Sequence, residues 1–137
     1  MRERLPVRGY TRGQEEIVSY DLWLEIDTGG EFNARVFDIG SITWNVGPMF
    51  AVSFRAVGIE EMIDPDRFGI HALRGRIAGE LLPKLEAAVQ WLKNHREEME
   101  KLNPSNGWGN YEDALRYVET MVEGCSEHPK ATFGLWT

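Results

Sequence analysis

At 137 residues, 42% of them hydrophobic, the chain is sized for one domain whose core needs no covalent staples. Its lone cysteine, Cys125, excludes an intrachain disulfide and fits a reducing compartment. With no apolar run of about 18 residues and no secretory leader, it reads as soluble and cytoplasmic. The formal charge of −7 is uneven: Arg2, Arg4, Arg8 and Arg12 against Glu3 give the first twelve residues +3, so the remainder carries −10. An acidic body of this kind argues against a broad nucleic-acid footprint. Residues 1–16 read as a basic arm, solvated or gripping phosphates, and residues 17–137 as a single domain.

In residues 17–27, Tyr20, Leu22, Leu24 and Ile26 alternate with Asp21, Trp23, Glu25 and Asp27, which predicts a half-buried strand. Thr28-Gly29-Gly30-Glu31 is turn chemistry, and residues 32–37 return as a second strand. A break at Asp38-Ile39-Gly40 precedes a third short strand at residues 41–44, completing a meander. Pro48 suits the first turn of a helix over 48–57, with Asn45 or Gly47 as its cap and Gly58 as its end. Asp64-Pro65-Asp66 marks a connection or helix start.

The longest predicted element spans about residues 70–102, with Leu73, Ile77, Leu81, Leu85, Ala88 or Val89, and Leu92 as its apolar stripe. Pro83 removes a backbone donor inside it, so a kink or split is expected there. The charged run at residues 93–98 reads as a solvated helix face. Asn103-Pro104 ends this element, and Asn110 is placed to cap the next helix, with Asp113 in its first turn. Leu115, Val118, Met121, Val122 and Cys125 give that helix its buried face, and Pro129 closes it. Residues 131–136 are expected as a strand joining the N-terminal sheet. The predicted architecture is α+β, a small antiparallel sheet packed against three to four helices.

No metal or cofactor site is expected. Cys125 with His128, and His95 with Glu98, each supply half of a tetrahedral ligand set, and His71 is the only other histidine. A Cys125–His128 dyad needs an exposed, acidified thiol, yet Cys125 lies on the apolar stripe. The Gly-x-Ser-x-Gly, Walker and Gly-x-Gly-x-x-Gly motifs are all lacking.

The informative chemistry is aromatic. Trp44-Asn45-Val46-Gly47-Pro48 and Asn106-Gly107-Trp108-Gly109-Asn110-Tyr111 each put an aromatic and an asparagine beside glycine at a helix start. Such starts present free amides, and a tryptophan nearby can stack a planar ligand. Candidate binding residues are therefore Trp44, Asn45, Asn106, Gly107, Trp108 and Tyr111. Two roles stay open for Trp108: a plug folded over its own helix, or an exposed platform. Trp23 and Trp136 read as packed cover for the sheet.

Ile42-Thr43-Trp44-Asn45 with Pro48-Met49, then Leu102-Asn103-Pro104-x-Asn106-Gly107-Trp108-Gly109-x-Tyr111-Glu112, then Cys125 and Pro129, resemble a group of small uncharacterised proteins encoded by bacteriophages and prophages. The resemblance spans about residues 41–136 and is most specific at Asn-Gly-Trp-Gly. It implies the cytoplasm of a bacterial host and an accessory role modulating host metabolism or defence; the group carries no assigned activity.

Three functions follow as expectations. The first is a non-enzymatic protein binding a host protein or a small ligand through the two aromatic clusters. The second is an enzyme acting on a nucleotide or other phosphorylated compound, with Asp38, Glu112 or His71 moving protons. The third is a subunit of a homo-oligomer or virion, pairing through residues 133–136.

Overall fold

The computed structural model describes residues 19–59 and 69–137. The predicted arm and the Asp64-Pro65-Asp66 signal lie outside the described residues.

Alternation builds the sheet as expected. Strand β1, Ser19–Ile26, buries Tyr20, Leu22 and Leu24. It is the central strand, flanked by β2 (Ala34–Thr43) and β3 (Thr132–Trp136) in the order β2-β1-β3, with both pairings antiparallel. The C-terminal segment therefore joins the N-terminal sheet.

The meander is corrected in one respect: residues 34–43 form one continuous strand where two were expected. Gly40, at φ +102°, does not break the strand. The register slips there instead, Leu22 facing Gly40 while Trp23 faces Asp38, which leaves Ile39 as an extra residue. A second slip, between Leu24 opposite Phe37 and Glu25 opposite Arg35, leaves Val36 extra. These two bulges absorb what the sequence shows as a turn signal.

A 3-10 helix, Trp44–Val46, leads into α1, Gly47–Ala56. The capping expectation is corrected here. Thr43 Oγ1 accepts the Asn45 N–H at 3.2 Å, and Val46 stands at the N-cap of α1 without a side-chain bond. Gly58 ends α1 as expected: at φ +88° it lets its own N–H reach Arg55 O (3.2 Å) and the Ile59 N–H reach Phe54 O (2.8 Å).

The long helical stretch is divided, but not at Pro83. A 3-10 helix, Gly69–Leu73, is followed by α2 (Ala78–Asn94) and α3 (Arg96–Glu100). Pro83 sits on the exposed side of the second turn of α2, where the helix loses a single backbone bond. The first interruption comes from the sheet. Gly75 N–H donates to Phe133 O (2.9 Å), Phe133 N–H to Arg76 O (3.0 Å) and Ala78 N–H to Ala131 O (2.8 Å), drawing residues 75–78 along β3. The second falls at His95, whose ring stacks on Trp91 with centroids 3.9 Å apart and whose Nδ1 donates to Trp91 O at 2.8 Å.

Asn110 caps α4, Tyr111–Glu127, by accepting the Asp113 N–H at 2.9 Å, as its sequence predicts. Helix α4 packs on α2 and on the buried face of the sheet. One core joins Leu22, Leu24, Phe50, Phe54, Leu81, Leu85, Val118, Met121 and Phe133. The α+β architecture expected from periodicity is the architecture observed.

Trp23 lies on the other face of the sheet, where its ring occupies the space a side chain at Gly134 would need. It serves as cover, with Arg35 stacked 3.7 Å above it. Trp136 does not: it is 69% exposed. Among the described residues no helix is long and apolar enough to cross a membrane.

Burial decides the chemistry of Cys125. It is fully buried, and desolvation pushes its thiol from about 9 up to about 12. The folded chain keeps this proton while the unfolded chain releases it, so stability falls as pH rises from about 9 toward about 12, by about 1.4 kcal/mol per pH unit. Iodoacetamide is expected to label Cys125 only at the rate of unfolding. Cys125→Ala is expected to flatten the alkaline limb of a urea-midpoint titration. Rapid labelling of the folded protein at neutral pH contradicts this assignment.

Candidate functional site

The two aromatic clusters meet. Gly109, at φ +88°, lies so close to the 3-10 helix that a Cβ there would stand 2.6 Å from Thr43 Cγ2 and 2.9 Å from Val46 Cγ1. Only a residue without a side chain permits this approach. The tryptophans next in sequence to these contacts stay accessible, Trp44 at 37% and Trp108 at 43% exposure. Of the two roles open to Trp108, the plug is thereby removed.

The loop carrying Trp108 is held by its asparagines. Asn106 Oδ1 accepts the Trp108 N–H at 2.9 Å, and Asn103 Oδ1 accepts the Tyr111 N–H at 2.8 Å. Gly107, at φ +79°, supplies the turn in open space. These bonds shape the backbone, so Asn106 and Gly107 position the tryptophan. Asn45 is half-buried beside Trp44, whose ring lies 5.9 Å from that of Tyr20.

Tyr111 stands apart from the other candidates. It is 2% exposed, and its hydroxyl donates to Leu92 O at 2.7 Å, so it is the core plug of this loop and offers its ring to no outside partner. Arg96 covers it, 5.1 Å above the ring, and joins Glu112 at 3.1 Å.

Beside the junction runs a cleft of about 380 Å³, within the range of ligand sites. One wall is β2 at Ile39, Ser41, Ile42 and Thr43; the other is α4 at Asp113, Arg116, Tyr117 and Thr120, and Gly109 also lines it. Tyr117 reaches across at the base, its hydroxyl donating to Gly40 O at 2.6 Å. Burial, and then the carboxylates of Asp21 and Asp38, push its phenol far above the usual range. Arg116 faces solvent and lies 3.5 Å from Asp113.

Sequence reasoning did not place the α4 wall in a site. Its signal is visible in hindsight: Asp113, Arg116 and Thr120 recur at helical spacing beside the apolar stripe. That spacing also describes any solvated helix face, so it acquires meaning only when β2 lies opposite.

The proton-transfer candidates do not gather. Asp38 is on β2, Glu112 pairs with Arg96 at the far side of the first turn of α4, and His71 packs edge-on against Tyr20 with centroids 5.7 Å apart; none lines the cleft. Of the half-sites for metal, Cys125 is buried and the His128 ring lies against Phe37. Among the described residues no group of three or more His, Cys, Asp or Glu side chains is placed to hold a metal ion. The edge expected to pair between copies is bonded at Phe133 to residues 75 and 76 of the same chain. Compared with known proteins, the chain matches no family model, and no curated protein or solved structure matches it significantly.

Proposed function

We propose that this is a binding protein that engages a partner through the face carrying Trp44 and Trp108 beside the β2–α4 cleft. The observation that carries this reading is the junction at Gly109, which sets the loop that carries Trp108 against the segment that carries Trp44, with both tryptophans accessible. A pair of partly exposed aromatics on a backbone locked by capping and turn bonds is a rigid, low-entropy contact surface. The resemblance to phage-encoded proteins supports a partner in a bacterial host, with the protein as an accessory factor acting on a host protein or a small ligand.

The test is replacement of Trp108 and Trp44 by Ala, one at a time. Trp108→Ala is expected to lose a bacterial partner that the parent protein retains in affinity capture, weakening it by roughly 10- to 100-fold on titration of the purified partner. Its melting temperature is expected to stay within about 3 °C of the parent, because the ring is outside the core. Undiminished binding by both variants overturns the reading.

A further inference from the structure

We propose that the outer face of the sheet binds an arginine side chain of a partner protein, stacked on Trp136 beside the carboxylate of Asp21. The proposal goes beyond the reading above and does not rest on Trp44 or Trp108.

The strand register fixes which side chains share this face. Ser41 of β2 stands opposite Asp21 of β1, which stands opposite Trp136 of β3. The next outward row is Asp38, Trp23 and Gly134, and the one after it is Arg35, Glu25 and Thr132. Side chains directly opposite in an antiparallel pair have their Cβ atoms about 4.5–5.5 Å apart, so each row is a set of neighbours. Asp21, Asp38 and Glu25 thus share the face with one cation, Arg35, and two indoles.

One of those indoles already carries a guanidinium. Arg35 Cζ lies 3.7 Å above the Trp23 ring, and Glu25 stands opposite Arg35 in the register. The ring beneath is fixed. Its N–H donates to Glu25 Oε1 at 2.7 Å, Asn33 Nδ2 donates to Glu25 Oε2 at 2.9 Å, and the ring covers Gly134. A guanidinium over an indole with a carboxylate alongside is held by the negative ring face and by the charge together.

Trp136 and Asp21 present the same two surfaces to the outside. Trp136 is 69% exposed, and Asp21 is its direct cross-strand neighbour. Ser41 Oγ donates to Asp21 Oδ1 and orients the carboxylate, leaving Oδ2 for another donor. Among the described residues no cation stacks on Trp136 and none pairs with Asp21. Arg35 is committed to Trp23 and offsets Glu25, so Asp21 and Asp38 leave this end of the face negative. What Arg35 does for Trp23, an arginine of a partner does for Trp136. A guanidinium suits the position better than an ammonium, because its plane covers the ring while its edge donates to the carboxylate. Tryptophan and arginine are also the side chains on which protein interfaces most often depend.

The test follows the indole N–H signals of the isotope-labelled full-length protein by NMR as acetyl-Gly-Arg-Gly-amide is added, with Trp136→Phe identifying the Trp136 signal. That signal is expected to move saturably. Asp21→Asn, which keeps an acceptor for Ser41, is expected to weaken the tripeptide by roughly fivefold. The citrulline tripeptide, equal in shape and uncharged, is expected to give no saturable shift. An unmoved Trp136 signal, an equal response to the citrulline or the lysine tripeptide, or unchanged affinity in a folded Asp21→Asn variant overturns the proposal. The citrulline comparison uses the unaltered protein, so it decides even where Asp21→Asn fails to fold.

Discussion

Gly109→Ala is expected to destabilise the protein by about 2–5 kcal/mol, a fall in melting temperature on the order of 10 °C. Two costs combine at this position. A φ of +88° is unfavourable for any residue with a Cβ, and that Cβ would meet two methyl groups at 2.6 and 2.9 Å. Val46, one of the two, is fully buried, so its side chain has little room to withdraw. The relaxation available is for the 3-10 helix and the tryptophan loop to part, so the same substitution is expected to lose partner binding. Gly107→Ala is the control: φ is +79° but nothing lies within 4 Å, and about 1 kcal/mol of backbone strain is expected with binding kept. Thermal melts of both variants, with circular dichroism, check the pair. Equal effects at the two glycines contradict the close approach.

Phe50→Ala is expected to cost about 3–5 kcal/mol, read as a shift of the urea midpoint at unchanged slope. The ring is fully buried, with the rings of Phe54 and Tyr117 each 5.9 Å away. The cavity left behind opens under Tyr117, whose hydroxyl ties α4 to the bulge at Gly40. Loosening of the cleft wall is therefore expected with the loss of stability. Phe32→Ala is the comparison, since Phe32 is 77% exposed in the β1–β2 turn; it is expected to change stability by no more than about 0.5 kcal/mol. A loss below about 1 kcal/mol at Phe50 shows that the core tolerates the void.

Where local chemistry decides the outcome, the residues could be read directly. Alternation through Tyr20, Leu22 and Leu24 identified β1, and Gly58 identified the end of α1. The Asn110 cap marked the start of α4, because a cap is satisfied within three residues and needs nothing from the rest of the fold. Of the two tryptophans expected as cover for the sheet, Trp23 packs at Gly134 and Trp136 is exposed. Where two signals compete locally, the reading failed in identifiable ways. Gly40 resembles a strand break, yet a neighbouring strand can absorb a positive φ as a bulge. Pro83 resembles a helix break, yet an exposed proline near a helix start forfeits only one bond.

The candidate site was legible in its parts and not in its assembly. The sequence by itself determined the α+β class, the strand faces, the cap of α4 and the singling out of Trp44 and Trp108, all of which rest on spacings of two to four residues. The tertiary structure decided that residues 75–78 leave the helix to bond β3, and that Tyr111 is the plug while Trp108 is left accessible. It also decided that Gly109 reaches Thr43 and Val46, setting the loop that carries Trp108 against the segment that carries Trp44, and that a cleft opens between β2 and α4. Each of these depends on groups more than ten residues apart in the chain. Their meeting is set by packing of the whole core, to which no local periodicity gives access.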